Sequence, residues 1–146
     1  MKTHEIEIVL VEDNPNDARL TMMALKENHI SNKIVHLKDG AEALEYVFAT
    51  GAYSDRNIDS IPRLILLDLK MPKVNGVEVL RKLKADERTK MIPVAVFTSS
   101  QEDPDVKECY SLGVNSYIVK PMEFKDFAKV IANAGLYWSL INYLPD

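Results

Sequence analysis

Three features of the sequence predict an α/β domain whose parallel sheet is covered on both faces by helices. Short runs rich in Val, Ile and Leu recur five times, segments of helical period fall between them, and Gly or Pro marks the joints. Apolar runs too short for a helix are what strands buried on both faces look like. Their alternation with helices is the pattern of βα units.

The first strand is predicted over residues 5–11, Glu-Ile-Glu-Ile-Val-Leu-Val, and stops abruptly at the acidic pair Glu12-Asp13. Asn14-Pro15 reads as an N-cap followed by Pro at the first helical position. Ala18, Met22 and Leu25 then share one helical face. A second strand over residues 33–37 leads to a helix with Ala41, Leu44, Val47 and Phe48 on one side. Residues 50–62, polar and bearing Gly, Asp and Asn, predict a long exposed connection. The third strand is residues 64–67, and Leu80 with Leu83 marks the helix after Gly76. Residues 94–97 form the fourth strand, and residues 106–112 carry the weakest helical stripe. Residues 117–119 are the fifth strand, before a long stripe of Phe127, Ile131, Ala134, Trp138 and Ile141. Right-handed crossovers restrict the possible topologies. The natural one is a flavodoxin-like (βα)5 three-layer sandwich, with a five-stranded parallel sheet of order 2-1-3-4-5. Residues 1–146 are expected to form one domain, with 136–146 a short extension of the last helix.

Composition narrows the function classes. A chain of 146 residues, 47% apolar and 27% charged, buries roughly 70% of its unfolded surface without disulfide or structural metal. A net charge of −4 argues against a nucleic-acid partner, which calls for a basic surface. The single cysteine, Cys109, excludes an intrachain disulfide and fits a reducing compartment. No apolar run reaches membrane length, and Met1-Lys2-Thr3-His4-Glu5 lacks a signal-peptide core. A cytoplasmic protein without membrane attachment is the expectation. His4, His29 and His36 lack metal-ligand spacing, Cys109 reads as a buried apolar filler, and Met22-Met23 reads as packing.

In parallel α/β sheets ligands bind beyond the carboxyl ends of the strands, near the switch in strand order. There the sequence places Glu12 and Asp13, then Asp68, then Thr98-Ser99-Ser100, then Lys120-Pro121. Taken singly, each has an ordinary explanation: a turn carboxylate, a strand-to-helix cap, a snorkelling surface lysine. Together they make one edge with three carboxylates, a hydroxyl and an ammonium. Carboxylates so close must raise a pKa or recruit a cation, and oxygen-only donors suit a hard ion such as Mg²⁺. Aspartate is a covalent acceptor in phosphoryl transfer, a reaction that needs mainly positioning and charge stabilisation. Lys120 and Thr98 are the right groups for the phosphoryl oxygens.

These residues resemble the receiver domains of two-component response regulators. The resemblance runs from Ile6 to about Leu140. It rests on the ordered set Glu12-Asp13, Leu66-Leu67-Asp68-Leu69-Lys70-Met71-Pro72 running on to Gly76, Phe97-Thr98-Ser99-Ser100, and Tyr117-Ile118-Val119-Lys120-Pro121. It implies that Asp68 accepts a phosphoryl group from a histidine of a sensor kinase. Asp13, Asp68 and the Lys70 backbone carbonyl would ligate Mg²⁺, with Glu12 acting mainly through metal-bound water. Lys120 would pair with the phosphoryl group or, before transfer, with Asp68. Thr98 and Tyr117 would form the switch, the Lys120–Pro121 bond would be cis, and Lys70 and Ser100 would tune hydrolysis.

The resemblance implies a signalling protein that catalyses only its own phosphorylation and dephosphorylation. The long 50–62 connection and the aromatic tail beyond Gly135 are similar to stand-alone receivers that partner phytochrome-type histidine kinases. The signal is then expected to leave through a partner surface to an unknown downstream protein or phosphotransfer partner. Tyr137, Tyr143 or Leu144 would form a homodimer contact. A non-phosphorylated pseudo-receiver would lack the acidic pair, acceptor or lysine, and all are present. A dehalogenase-type phosphatase wants a second Asp two residues after the nucleophile, where Lys70 stands. A flavodoxin wants a phosphate loop where Glu12-Asp13-Asn14-Pro15 repels phosphate.

Overall fold

The computed structural model describes residues 7–30, 33–71, 74–99, 103–138 and 142. Strands β1 (Glu7–Val11), β2 (Lys33–Leu37), β3 (Leu64–Leu67), β4 (Val94–Thr98) and β5 (Ser116–Val119) alternate with five helices. The helices are α1 (Pro15–Glu27), α2 (Gly40–Phe48), α3 (Gly76–Ala85), α4 (Asp103–Leu112) and α5 (Phe124–Leu136). All neighbouring strands pair in parallel, in the order β2-β1-β3-β4-β5. The fold is the three-layer flavodoxin-like sandwich that the alternation predicts. No helix of the described residues is long and apolar enough to cross a membrane.

Strand composition follows position in the sheet. β1, β3 and β4 lie inside and are buried almost throughout, whereas the edge strands β2 and β5 are half-exposed and carry Lys33, His36, Ser116 and Tyr117. Because strand side chains alternate between faces, the core divides in two. Ile8, Leu10, Leu64, Leu66, Ala95 and Phe97 meet α1 and α5. Val9, Val11, Ile65, Leu67, Val94 and Val96 form the second layer with α2, α3 and Cys109 of α4. Phe97 and Phe127 meet edge to face at 5.0 Å.

The helix starts are chemically specified. Asn14 Oδ1 accepts the backbone N–H groups of Asn16 at 2.9 Å and Asp17 at 3.0 Å, with Pro15 first in the helix. Asp39 caps α2 and Asn75 caps α3 in the same way. α4 is a full helix despite its weak stripe, and begins earlier than its periodicity suggests. Ile141 of the expected last stripe lies outside the described residues; Phe127, Ile131 and Ala134 are buried as expected.

The 50–62 connection is less free than its composition implies. It opens with a 3-10 turn over Gly51–Tyr53, and the Tyr53 ring stands edge-on to Tyr46 at 5.0 Å. Arg56 lies 3.9 Å over the Tyr46 ring and donates to the carbonyls of Tyr46 and Ser60. Tyr46 in turn donates to Glu7 at 2.8 Å. One aromatic side chain therefore anchors the loop to α2 and β1.

Gly76 fixes where α3 begins relative to β3. Its N–H donates to the Leu69 carbonyl at 2.9 Å. A Cβ there would collide with the Asp68 carbonyl oxygen and lie 2.7 Å from Leu69 Cα, both rigid backbone atoms. Gly76→Ala is expected to destabilise the fold by about 1–3 kcal/mol through overpacking, read as a lower urea midpoint; an unchanged midpoint contradicts the close approach.

Burial and the adjacent Glu7 push the Tyr46 hydroxyl up to about 12 from an ordinary 10.0. The folded chain holds this proton more tightly than the unfolded chain. Its contribution to stability is therefore complete below pH 10.0 and is lost as pH rises towards about 12. Tyr46→Phe should flatten the alkaline decline of Tm across that window. A decline as steep as that of the wild type would show that Tyr46 does not cause it.

Candidate functional site

Strand register brings the chemistry-bearing residues to one edge. Val11 pairs with Leu37 and Leu67, Leu67 with Val96, and Thr98 with Val119. The ladder continues past the strand ends. The Glu12 N–H donates to Leu37 at 3.1 Å, the Asp68 N–H to Val11 at 3.0 Å, and the Lys120 N–H to Thr98 at 2.7 Å. Glu12, Asp68 and Lys120 thus leave the sheet from fixed backbone positions. Carboxylate oxygens of Glu12, Asp13 and Asp68 lie within 4.8 Å of one another, the one such group among the described residues. Glu12 and Asp68 are buried and Asp13 is exposed at the mouth.

Lys120 supplies the positive charge. Its Nζ lies 2.6 Å from Glu12 Oε1, 2.8 Å from Asp17 Oδ2 and 3.5 Å from Asp68 Oδ2, and 5.8 Å from the Phe97 ring centre. Burial opposes its charge, but hydrogen bonds to Asp17 and Glu12 and the field of Glu12 and Asp68 more than offset this and hold its pKa above the ordinary lysine value. Glu12 moves the same way for a different reason. Burial, then the hydrogen bond with Asp68, push its carboxyl up to about 8, with Lys120 pulling against them. The cluster carries more negative charge than one ammonium compensates, and its donors are all oxygens. It therefore fits a hard divalent cation.

The other predicted residues fall around this centre. Thr98 ends β4 fully buried. Tyr117 is half-buried against the core layer of α2 and α3. Asp13, Lys70, Asn75 and Asp105 line a cavity of about 440 Å³, across which the exposed Lys70 side chain pairs with Asp105 at 3.6 Å. Ser100 lies outside the described residues. One expectation is corrected: the Lys120–Pro121 bond is trans, as no peptide bond among the described residues is cis. Lys120 reaches Glu12 and Asp17 from the trans bond, and the two isomers of an X–Pro bond differ by only about 0.5–1 kcal/mol.

Two contributors were not singled out as site residues. Asp17, in the first turn of α1, is a direct partner of Lys120. The His36 Nε2 bonds the Glu12 backbone carbonyl at 2.8 Å, which places the proton on Nε2 because a carbonyl only accepts. Position at a β-strand end was the available signal for His36. For Asp17 it was position one helical turn after the acidic pair.

The comparisons with known proteins agree with this geometry. Residues 8–132 match the response regulator receiver domain family. The chain is 41% identical over 138 residues to the probable methanogenesis regulatory protein FilR2 of Methanothrix harundinacea (strain 6Ac), covering 94% of this chain and 86% of that protein. It is 38% identical over 138 residues to response regulator Rcp1 of Synechocystis sp. (strain ATCC 27184 / PCC 6803 / Kazusa), covering 94% and 92%. The crystal structure of the Mn²⁺-bound form of Rcp1 superposes with a TM-score of 0.89 at 37% identity over 97% of this chain and 99% of that one. The phosphorylated cyanobacterial phytochrome response regulator RcpA superposes with a TM-score of 0.90 at 36% identity over 99% of this chain and 100% of that one. On fold, site and sequence together, the chain belongs to the receiver-domain family of two-component response regulators.

Proposed function

We propose that Asp68 is the phosphoacceptor of a two-component signalling switch. The observation that carries this is the convergence of Glu12, Asp13, Asp68 and Lys120 at one aligned strand edge. An Asp68 carboxylate oxygen attacks the phosphorus of a kinase phosphohistidine. The O–P bond forms as the N–P bond breaks, and the electron pair leaves with the imidazole nitrogen. Asp13, Asp68 and the Lys70 carbonyl would hold Mg²⁺, with Glu12 acting through its bound water, and the ion would supply positive charge against the phosphoryl oxygens. Lys120 neutralises one of those oxygens and the Thr98 hydroxyl donates to another. Water attack on phosphorus later returns the carboxylate and releases phosphate. While the phosphoryl group is on Asp68, Thr98 moves toward it and Tyr117 follows inward.

With Mg²⁺ and a small phosphodonor, intact-protein mass spectrometry should show a gain of one phosphoryl group, absent without the metal and absent in Asp68→Asn. Lys120→Ala should slow the gain by about 10²-fold, as removal of one charge-stabilising donor does. A gain that persists in Asp68→Asn overturns the assignment.

The proposed donor is a sensor histidine kinase of phytochrome type, supported by the likeness to RcpA and Rcp1 over nearly the full length of each. Output through a partner surface is supported by the exposed apolar side chains Val119, Met122 and Phe124 next to Lys120. A homodimer contact through the tail is supported by the exposed Leu136 and Tyr137; Tyr143 and Leu144 lie outside the described residues. Sedimentation equilibrium should detect a dimer that Tyr137→Ala weakens. A monomer at high concentration, phosphorylated or not, removes that proposal.

A further inference from the structure

We propose that Asp17 is the resting counter-ion of Lys120. As a positioning residue it holds the ammonium away from Asp68 and must release it when a phosphoryl group arrives. The inference rests on the phosphoacceptor reading of Asp68 and adds a residue to it.

The geometry distinguishes this role from ordinary helix capping. Asp17 is the third residue of α1, after Pro15 and Asn16. A carboxylate there usually turns back to accept the N–H of the cap residue. Here the Asn14 N–H donates to Glu12 Oε2 at 3.2 Å instead. The Asp17 carboxylate is thereby free to reach outward, and it accepts from Lys120 at 2.8 Å. Its backbone is held meanwhile, with the N–H on Asn14 Oδ1 and the carbonyl accepting the Thr21 hydroxyl at 2.8 Å.

Lys120 is drawn between two positions. Glu12 and Asp17 hold it at 2.6 and 2.8 Å, and Asp68 stands farther away at 3.5 Å. When Asp68 becomes an acyl phosphate, the new dianionic oxygens lie on the Asp68 side. Lys120 serves them by lengthening its bond to Asp17. That bond is the more separable of the two close ones, because the Asp17 side chain is 25% exposed against 2% for Glu12. Once released, Asp17 is rehydrated, whereas Glu12 would be left buried without its cation. The ion pair between α1 and β5 therefore opposes the phosphorylated state and sets how readily it forms.

Beryllofluoride, a tetrahedral phosphoryl analogue that adds to an aspartate carboxylate, isolates this equilibrium from the kinetics of transfer. Its dissociation constant is measured by calorimetry at saturating Mg²⁺ for wild type, Asp17→Asn, Asp17→Glu and Asp126→Asn. The last removes an equal charge from the first turn of α5, which carries Asp126. Asp17→Asn should bind on the order of tenfold tighter, because the competing partner is lost, with Asp17→Glu and Asp126→Asn within about twofold of wild type. Asp17→Asn binding no tighter than wild type, or tightening matched by Asp17→Glu or Asp126→Asn, overturns the proposal. Asp17→Ser is read in the same way should Asp17→Asn not fold. Absence of binding to wild type, or undiminished binding to Asp68→Asn, instead defeats the phosphoacceptor reading.

Discussion

Three carboxylates brought to one edge of a sheet must raise a pKa or gain a cation, and here both happen: the Glu12 carboxyl is pushed up to about 8, and an ammonium arrives from the far end of the sequence. The Lys120 ammonium partly offsets the negative charge that strand register gathers at Glu12, Asp13 and Asp68. An uncompensated buried carboxylate costs several kcal/mol even after relaxation. The ion pair lowers that cost, and β5 delivers it by docking beside β4. The same charge is chemically undercommitted, since one ammonium facing several carboxylates can be redistributed among them. Stability and switching draw on a single group.

Glu12 is the residue through which the elements communicate. Its N–H donates to β2 and its carbonyl accepts from His36 of β2. One carboxylate oxygen receives the Asn14 N–H at the start of α1, and the other receives Lys120 after β5. The polar groups of this buried residue thus tie it to β2, to the start of α1 and to the end of β5. Burial pushes its pKa up and Lys120 pulls it down. Glu12 thus joins Lys120 to α1 and to β2 through its own hydrogen bonds.

Local chemistry made much of this legible in the sequence. The bounds of β2 and β3 follow from the apolar runs, and the ends of β1, β3, β4 and β5 announce the site because each apolar run stops at a polar group. What stayed hidden depends on contacts between distant positions. Arg56 reads as loop polarity until Tyr46 is seen beneath it. Lys84 reads as a solvated helix lysine, yet its ammonium donates to the Lys90 and Ile92 carbonyls and to Asn115 Oδ1 at 3.0, 2.9 and 3.3 Å, tying α3 to the entrances of β4 and β5. Asp17 reads as a first-turn acid stabilised by the helix dipole until Lys120 is found against it. A side chain long enough to cross between elements has no periodicity to betray it.

The weak stripe of α4 has a physical meaning of its own. Among its described side chains Cys109 alone is fully buried, with Val106 and Leu112 half-covered. α1 and α5, by contrast, close over a shared layer that includes Leu25, Phe97, Phe127 and Ile131. α4 is joined to the rest of the surface by Lys70–Asp105 at 3.6 Å and Arg81–Glu108 at 2.7 Å, exposed pairs of the kind worth about 0–1 kcal/mol each. α1 and α5 cover a close-packed core, where truncating one large buried side chain to Ala costs about 2–5 kcal/mol. α4 rests on fewer buried side chains, and Lys70, two residues from Asp68, pairs with it through Asp105. The low amphipathicity that makes this helix hard to see in the sequence is the counterpart of its light anchoring, with one fully buried side chain among those described.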